Sequence, residues 1–396
     1  MTDDGAPFRL GSTERRGKVL GLRPGQVGAV ALGTAALLGG VAVGGVIGVA
    51  LGLLAAAACL GASVGAVRGR GIDEWVPVVA SFALTCRRGA LCEGAVVVAA
   101  GETSPAALRW PDGTTSTVAH LEHRGLLALA DEPRALGASF SAWLRSLSAP
   151  GAPRCTVTLL TASGPALAPR DAPWAMGGVE VRALVAVSSR IPVAVAAALG
   201  DAGVRGARQL DAAGLERLLS ARVAPAAGDV LGTDLCAHWR HLEGPASVHA
   251  AFTVEEWPTG PVDEQLLAPL CISRDRRTVC VTVQAEELRR ARGRTARQRT
   301  SAAADRELAS GAGFLASAEG TLAAARDAER AAELAAGHGP LRLVVTVALD
   351  AADTLELEVA AARLEADAAR CGLRLRRCDG DHRRGVLASV PGWTVP

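Results

Sequence analysis

The sequence predicts an α+β protein. An apolar two-helix hairpin comes first, and two-layer α+β units follow it. Three observations carry this reading. Residues 24–67 contain no charged side chain, with Arg23 before them and Arg68 after. Beyond residue 90, short β-branched runs alternate with segments of helical period. The chain has 396 residues, enough for two compact domains after the hairpin.

The apolar stretch sets the first element. About 44 helical residues would span roughly 66 Å, twice the ~30 Å hydrocarbon thickness of a bilayer. Two crossings are therefore expected, with the turn at Gly44-Gly45 and Pro24 in the first helical turn. Gly40, Gly44, Gly48, Gly52 and Ala56 recur four apart, which lets two helices approach closely. Arg9, Arg15, Arg16, Lys18 and Arg23 lie on one side, and Arg68, Arg70, Arg87 and Arg88 on the other. Basic flanks stay inside. The expectation is thus a transmembrane hairpin at 24–67 in a cell membrane, with the lipid bilayer as a partner and both termini cytoplasmic. Residues 1–23 form a basic cytoplasmic tail. Residues 68–89 form a juxtamembrane segment, with Ile72, Trp75, Val79 and Phe82 on one helical face, either with Trp75 as interfacial anchor or as an ordinary packed helix.

Composition narrows the rest. Lys18 is the only lysine, there is no tyrosine, and aromatic residues are 3%. The cores must rest on Val, Leu and Ala. The nine cysteines include no C-x-x-C pair, and an odd number at irregular spacing argues against a disulfide framework.

The first α+β domain is expected at 90–230. Its strands are Ala95–Ala99, Thr114–His120, Gly125–Ala130, Cys155–Leu160 and Val179–Val187. Its helices are Pro133–Leu147, Pro192–Leu199 and Asp211–Leu219, the last capped by Asp211. The second is expected at 246–396. It has strands Val248–Val254, Arg277–Val283, Leu341–Leu349 and Leu373–Arg376, and helices Val262–Leu270 and Leu355–Cys371. A long charged helix runs from Ala285 to Ala336, with Leu308, Leu315 and Leu322 on one stripe. Alternation with few strands per unit predicts cytoplasmic, ferredoxin-like α+β packing.

Chemistry is sparse. A phosphate-binding loop needs a lysine after its glycines, and Lys18 stands in the N-terminal tail, so an ATPase is excluded. His120-Leu-Glu-His123 does not match the H-E-x-x-H zinc pattern. Cys236-Ala-His-Trp-Arg-His241, with His249 beyond, offers zinc-ligand types at no standard spacing. Cys371, Cys378 and His382 are a weaker set. Ser189-Arg190 follows a strand without a G-x-S-x-G elbow. No catalytic, cofactor-binding or metal residue is assigned, and no cofactor is expected. Arg274, Arg276, Arg277, Arg289, Arg290, Arg292, Arg294, Arg297 and Arg299 form a basic run, balanced by acids further along. A solvated face or protein contact is expected of it, ahead of anionic lipid and, last, nucleic acid.

Several segments resemble an actinobacterial family of PrgI-like membrane proteins associated with type IV secretion or conjugation-like systems. They are Asp73-Glu74-Trp75-Val76-Pro77-Val78 after the hairpin, Val254-Glu255-Glu256-Trp257-Pro258, Leu267-Ala268-Pro269-Leu270, Gly313-Phe314-Leu315 and Glu333-Leu334-Ala335-Ala336-Gly337-His338. The resemblance implies a membrane-anchored structural subunit, not an enzyme, that docks a separate motor ATPase beside other secretion subunits or copies of itself. An EccE-like component of a type VII secretion system and a membrane-bound transferase are the alternatives.

Overall fold

The structure, a computed structural model, describes residues 24–43, 45–64, 66–67, 70–88, 96–98, 106–110, 112–121, 143–144, 155–165, 179–190, 193–201, 206–215, 235–245, 247–258, 262, 266–286, 288–311, 318–335 and 341–391. Two units form. One is helical (Glu14–Gly89 and Arg289–Ala336), and the other holds a large sheet (Met1–Thr13, Ala90–Leu288 and Gly337–Pro396).

The helical unit begins with α1 (Pro24–Val43) and α2 (Gly45–Val64). Gly45 takes a φ of 79° at the reversal, a conformation glycine adopts at no steric cost. Glycines make the close crossing. A Cβ on Gly40 would strike the Gly48 carbonyl, and one on Gly52 would lie 3.0 Å from the Ala36 carbonyl. A two-stranded ribbon, β1 (Ala66–Val67) with β2 (Arg70–Gly71), leads into α3 (Ile72–Arg88).

Among the described residues no helix is long and apolar enough to cross a membrane. The expected transmembrane hairpin, its two-pass placement in a cell membrane and the cytoplasmic termini are corrected to a helical hairpin. The reason lies in its make-up. Its small residues serve the close helix crossing itself, where Gly40 and Gly52 let α1 and α2 approach each other. The expectation had weighed length and lack of charge alone. Within 68–89 the described residues form the second strand of the ribbon and α3. The basic tail 1–23 lies outside the described residues.

Among the described residues the sheet unit has 12 strands, all paired antiparallel. They are β3 (Val96–Val98), β4 (Ala107–Arg109), β5 (Thr115–Leu121), β6 (Cys155–Pro165) and β7 (Val179–Ser189), then, after α4 (Val195–Asp201), β8 (Ala207–Gln209), β9 (Cys236–Ala237), β10 (Leu242–Glu243) and β11 (Val248–Glu256). After α5 (Ala268–Cys271) comes β12 (Arg276–Ala285). Two helices of the other unit, α6 (Leu288–Gly311) and α7 (Ala318–Ala335), interrupt the chain before β13 (Leu341–Ala351). The chain closes with α8 (Thr354–Arg370), β14 (Arg374–Arg377) and α9 (His382–Leu387).

In space the strands run β8–β5–β7–β6 and β14–β11–β13–β12. Each set has the order 4-1-3-2 of a β-α-β-β-α-β unit. The second strands of the two sets pair, from Arg277 opposite Ser163 to Gln284 opposite Thr156. The α+β units expected at 90–230 and 246–396 therefore share one sheet instead of packing as separate bodies. The hairpins β3–β4 and β9–β10 extend it at matching places, against the first residues of β5 and of β11.

Both faces are covered, so the strands read as nearly continuous apolar runs. Val279, Val281 and Val283 of β12 join a core with Phe252, Val347 and the α8 residues Leu357, Ala361 and Leu364. Cys280 points the other way, into a core with Ala251, Leu242, Val386 and Leu387. Helix α8 starts where its sequence says it should. Asp353 Oδ1 accepts from Glu356 N at 2.8 Å, and Glu356 Oε2 accepts from Ala352 N at 2.9 Å.

Elsewhere the elements shift. Helix α4 starts three residues later than Pro192. Within the helix expected at Val262–Leu270, the described residues are helical from Ala268, in a helix that runs to Cys271 with Pro269 in its first turn. Asp211 Oδ1 accepts from Gly214 N at 2.6 Å, as an N-cap does. The strand Gly125–Ala130, His123, Gly313-Phe314-Leu315 and the side chains of Leu308 and Leu322 lie outside the described residues, as does all of the helix Pro133–Leu147 except Trp143 and Leu144.

Candidate functional site

The densest group of chemistry-bearing side chains sits on the β9–β10 hairpin. Cys236 pairs with Glu243 and Ala237 with Leu242. His238 N donates to His241 O at 2.9 Å, so Trp239 and Arg240 form the turn. Residues opposite one another share a face, and alternate residues along a strand return to it. Cys236, His238, His241 and Glu243 therefore line one face. Leu242 turns to the other and is buried.

On the exposed face the His238 and His241 rings stack, with centroids 4.5 Å apart. His238 Nε2 lies 3.0 Å from Glu243 Oε2. One ligand atom each from His238, His241 and Glu243 falls within 4.8 Å of the others. Partial burial, then the neighbouring His238, pushes the His241 pKa down, which favours the neutral ring. The turn is held from behind. Gly380 N donates to Trp239 O at 2.8 Å, and Arg377 Nε to Arg240 O at 3.0 Å. Arg377 and Arg240 also reach Glu358 Oε2 on α8, at 2.9 and 3.1 Å. Burial alone would raise the Glu358 carboxyl, but these two guanidinium groups outweigh it and hold it below the usual range.

A second constellation lies inside. Ser247 Oγ is 3.2 Å from His249 Nε2, and His249 Nδ1 is 3.1 Å from Asp350 Oδ1. That is the order of a hydroxyl–imidazole–carboxylate relay. Ser247 is only 9% exposed and His249 0%, so the hydroxyl faces packed protein. The geometry ties β11 to β13, where His249 and Asp350 are register partners. Spacing alone did not reveal it. The usable signal was Ser247-x-His249 at the head of one strand and Asp350 near the end of another.

The other candidates separate. His120 stands on β5, opposite Leu184 and Arg208. Ser189 closes β7, and its carbonyl accepts from Thr115 Oγ1 at 3.0 Å. Cys378 is buried beside Ala251, whereas Cys371 donates to the Asp367 carbonyl at the end of α8. His382 accepts from Ala251 N at its Nδ1, 3.1 Å away.

The basic run divides too. Arg277 is buried and reaches Asp367 at 2.8 Å and Asp275 at 3.3 Å. Arg292 donates to the Leu334 carbonyl near the end of α7 at 2.8 Å. Arg289, Arg297 and Arg299 are exposed.

The segments that carried the resemblance take structural places. Glu255 is buried and paired with Arg374 at 3.0 Å, while Trp257, Leu270 and Leu334 are buried. The chain matches no protein-family model, and no curated protein matches it.

Proposed function

We propose that this chain is a structural subunit of a bacterial secretion or conjugation-like apparatus, and that it docks a separate motor ATPase. It acts by presenting surfaces, not by turning over a substrate. The observation that carries this reading is the apolar stripe on α2. Ile47, Leu51 and Leu54, spaced i, i+4 and i+7, are 77%, 62% and 67% exposed. Val46 beside them and Leu38 and Val41 on α1 are exposed as well. A contiguous apolar surface of this kind marks a place where another molecule sits, and the i, i+4, i+7 spacing suits a groove on a protein partner. The resemblance supplies the partner class, a conjugation-type ATPase.

Co-purification tests it. The intact chain and an Ile47→Gln/Leu51→Gln/Leu54→Gln variant are each isolated from their native host. These positions are exposed, so the sheet unit folds in both. The proposal expects a P-loop ATPase with the intact chain and its loss with the variant. Equal recovery from both, or no ATPase with either, would overturn it.

A further inference from the structure

We propose that the β9–β10 hairpin is a binding site for a divalent transition-metal ion of the zinc class, held by His238, His241 and Glu243. The inference is independent of the docking role, and its failure would leave that role untouched.

Three features carry it. The first is chemical. Two imidazoles and a carboxylate are a donor set that zinc takes in protein sites, with metal–ligand distances of about 2.0–2.2 Å. The second is geometric. Bonds of that length in a tetrahedron separate ligand atoms by roughly 3.3–3.6 Å. The three donors already lie within 4.8 Å of one another, and His238 and Glu243 within 3.0 Å. His238 and Glu243 are exposed and His241 is half-buried, so the proposal requires their side chains to turn by a rotamer change to close the remaining gap.

The third is the mounting. Sites built on strands hold ligands more firmly than sites on loops. Here the register fixes both histidines across from each other. The turn between them is bonded to Gly380 and Arg377 from behind, and Leu242 is sunk into the core. Glu358 takes up the charge of Arg240 and Arg377, which limits their repulsion of a cation. Cys236, exposed and opposite Glu243 on the same face, lies outside this group of three, so a solvent molecule would complete the shell.

This grouping goes beyond the sequence expectation, which assigned no metal residue. The sequence showed Cys236-x-His238-x-x-His241, a spacing that fits no helix-borne or knuckle motif. A two-residue hairpin turn is what makes it one face, and Glu243 enters only through the register.

The test is zinc titration of the untagged full chain against a chromophoric chelator, repeated with cobalt(II) for its absorption spectrum. The expected result is one high-affinity ion per chain, with a tetrahedral cobalt spectrum. His238→Ala and His241→Ala should each weaken binding by about 10-fold or more, and Glu243→Gln by less. Cys236→Ser, outside the group of three, should leave the affinity unchanged within about 2-fold. All four side chains are at least partly exposed, and an unchanged circular dichroism spectrum confirms that the variants fold. Failure to bind zinc, or affinity unchanged in the His238→Ala/His241→Ala double variant, would overturn the proposal. Binding lost only when buried cysteines are replaced would also overturn it.

Discussion

His249 Nδ1 lies 3.1 Å from Asp350 Oδ1, across one register pair of β11 and β13, with both side chains buried. Removing Asp350 leaves His249 its Ser247 contact at 3.2 Å, and removing His249 leaves Asp350 facing Arg276 at 3.5 Å. Asp350→Ala should cost ~1–3 kcal/mol, and Ser247→Ala about 1 kcal/mol. Urea unfolding measures both. Loss of less than ~1 kcal/mol on Asp350→Ala would show that the pair contributes little to the sheet.

His382 makes stability depend on acid. Burial first, then Arg377 and His241, push its pKa from 6.5 down to about 3. The folded ring stays neutral and accepts the Ala251 N–H, while the unfolded ring takes a proton near its ordinary value. The unfolded state then binds more protons, so stability falls as pH drops from about 6.5 toward 3, by up to ~1.4 kcal/mol per pH unit. Above that window the contribution is complete. His382→Asn keeps an acceptor for Ala251 N and removes the titration. Unfolding near pH 7 and near pH 5, with a chelator present, should show a shallower loss in the variant. Equal slopes would refute the assignment.

Much of the sheet could be read from the residues. Val279, Val281 and Val283 alternate with Cys280 and Thr282, and β12 forms where that alternation stands. Asp353 with Glu356, and Asp211, announced their helix starts. The joining of the two halves could not be read, because β6 and β12 are far apart in sequence and nothing local encodes which edge pairs with which. The hairpin misled for a different reason. Absence of charge and small residues four apart look the same in a hairpin that crosses a bilayer and in one that does not. At the candidate site, His238 and His241 were visible as ligand types, but Glu243 needed the register.

Thiol reactivity should follow burial. Cys236 is exposed, whereas Cys155, Cys271, Cys280 and Cys378 are buried. Burial pushes the Cys271 and Cys280 thiols up to about 12, and the thiolate is the nucleophile. A brief maleimide pulse on the native chain, read by peptide mass spectrometry, should modify Cys236 and spare Cys271 and Cys280 until denaturant is added. Early labelling of Cys280 would contradict its place in the core.

The hairpin crossing depends on Gly40. A Cβ there meets the Gly48 carbonyl, while one on Gly39 meets nothing within 4 Å. Gly40→Ala should destabilise the hairpin by ~1–3 kcal/mol through overpacking. Gly39→Ala should be neutral or stabilising by up to about 1 kcal/mol. Thermal unfolding followed by circular dichroism compares the two, and equal effects would show that the close crossing does not form.

Photocrosslinking from Leu51, inside the exposed stripe of α2, tests the docking account most directly. A photoreactive residue placed there in the native host should yield one dominant adduct with a P-loop ATPase. Adducts with lipid alone, or no adduct, would contradict the account.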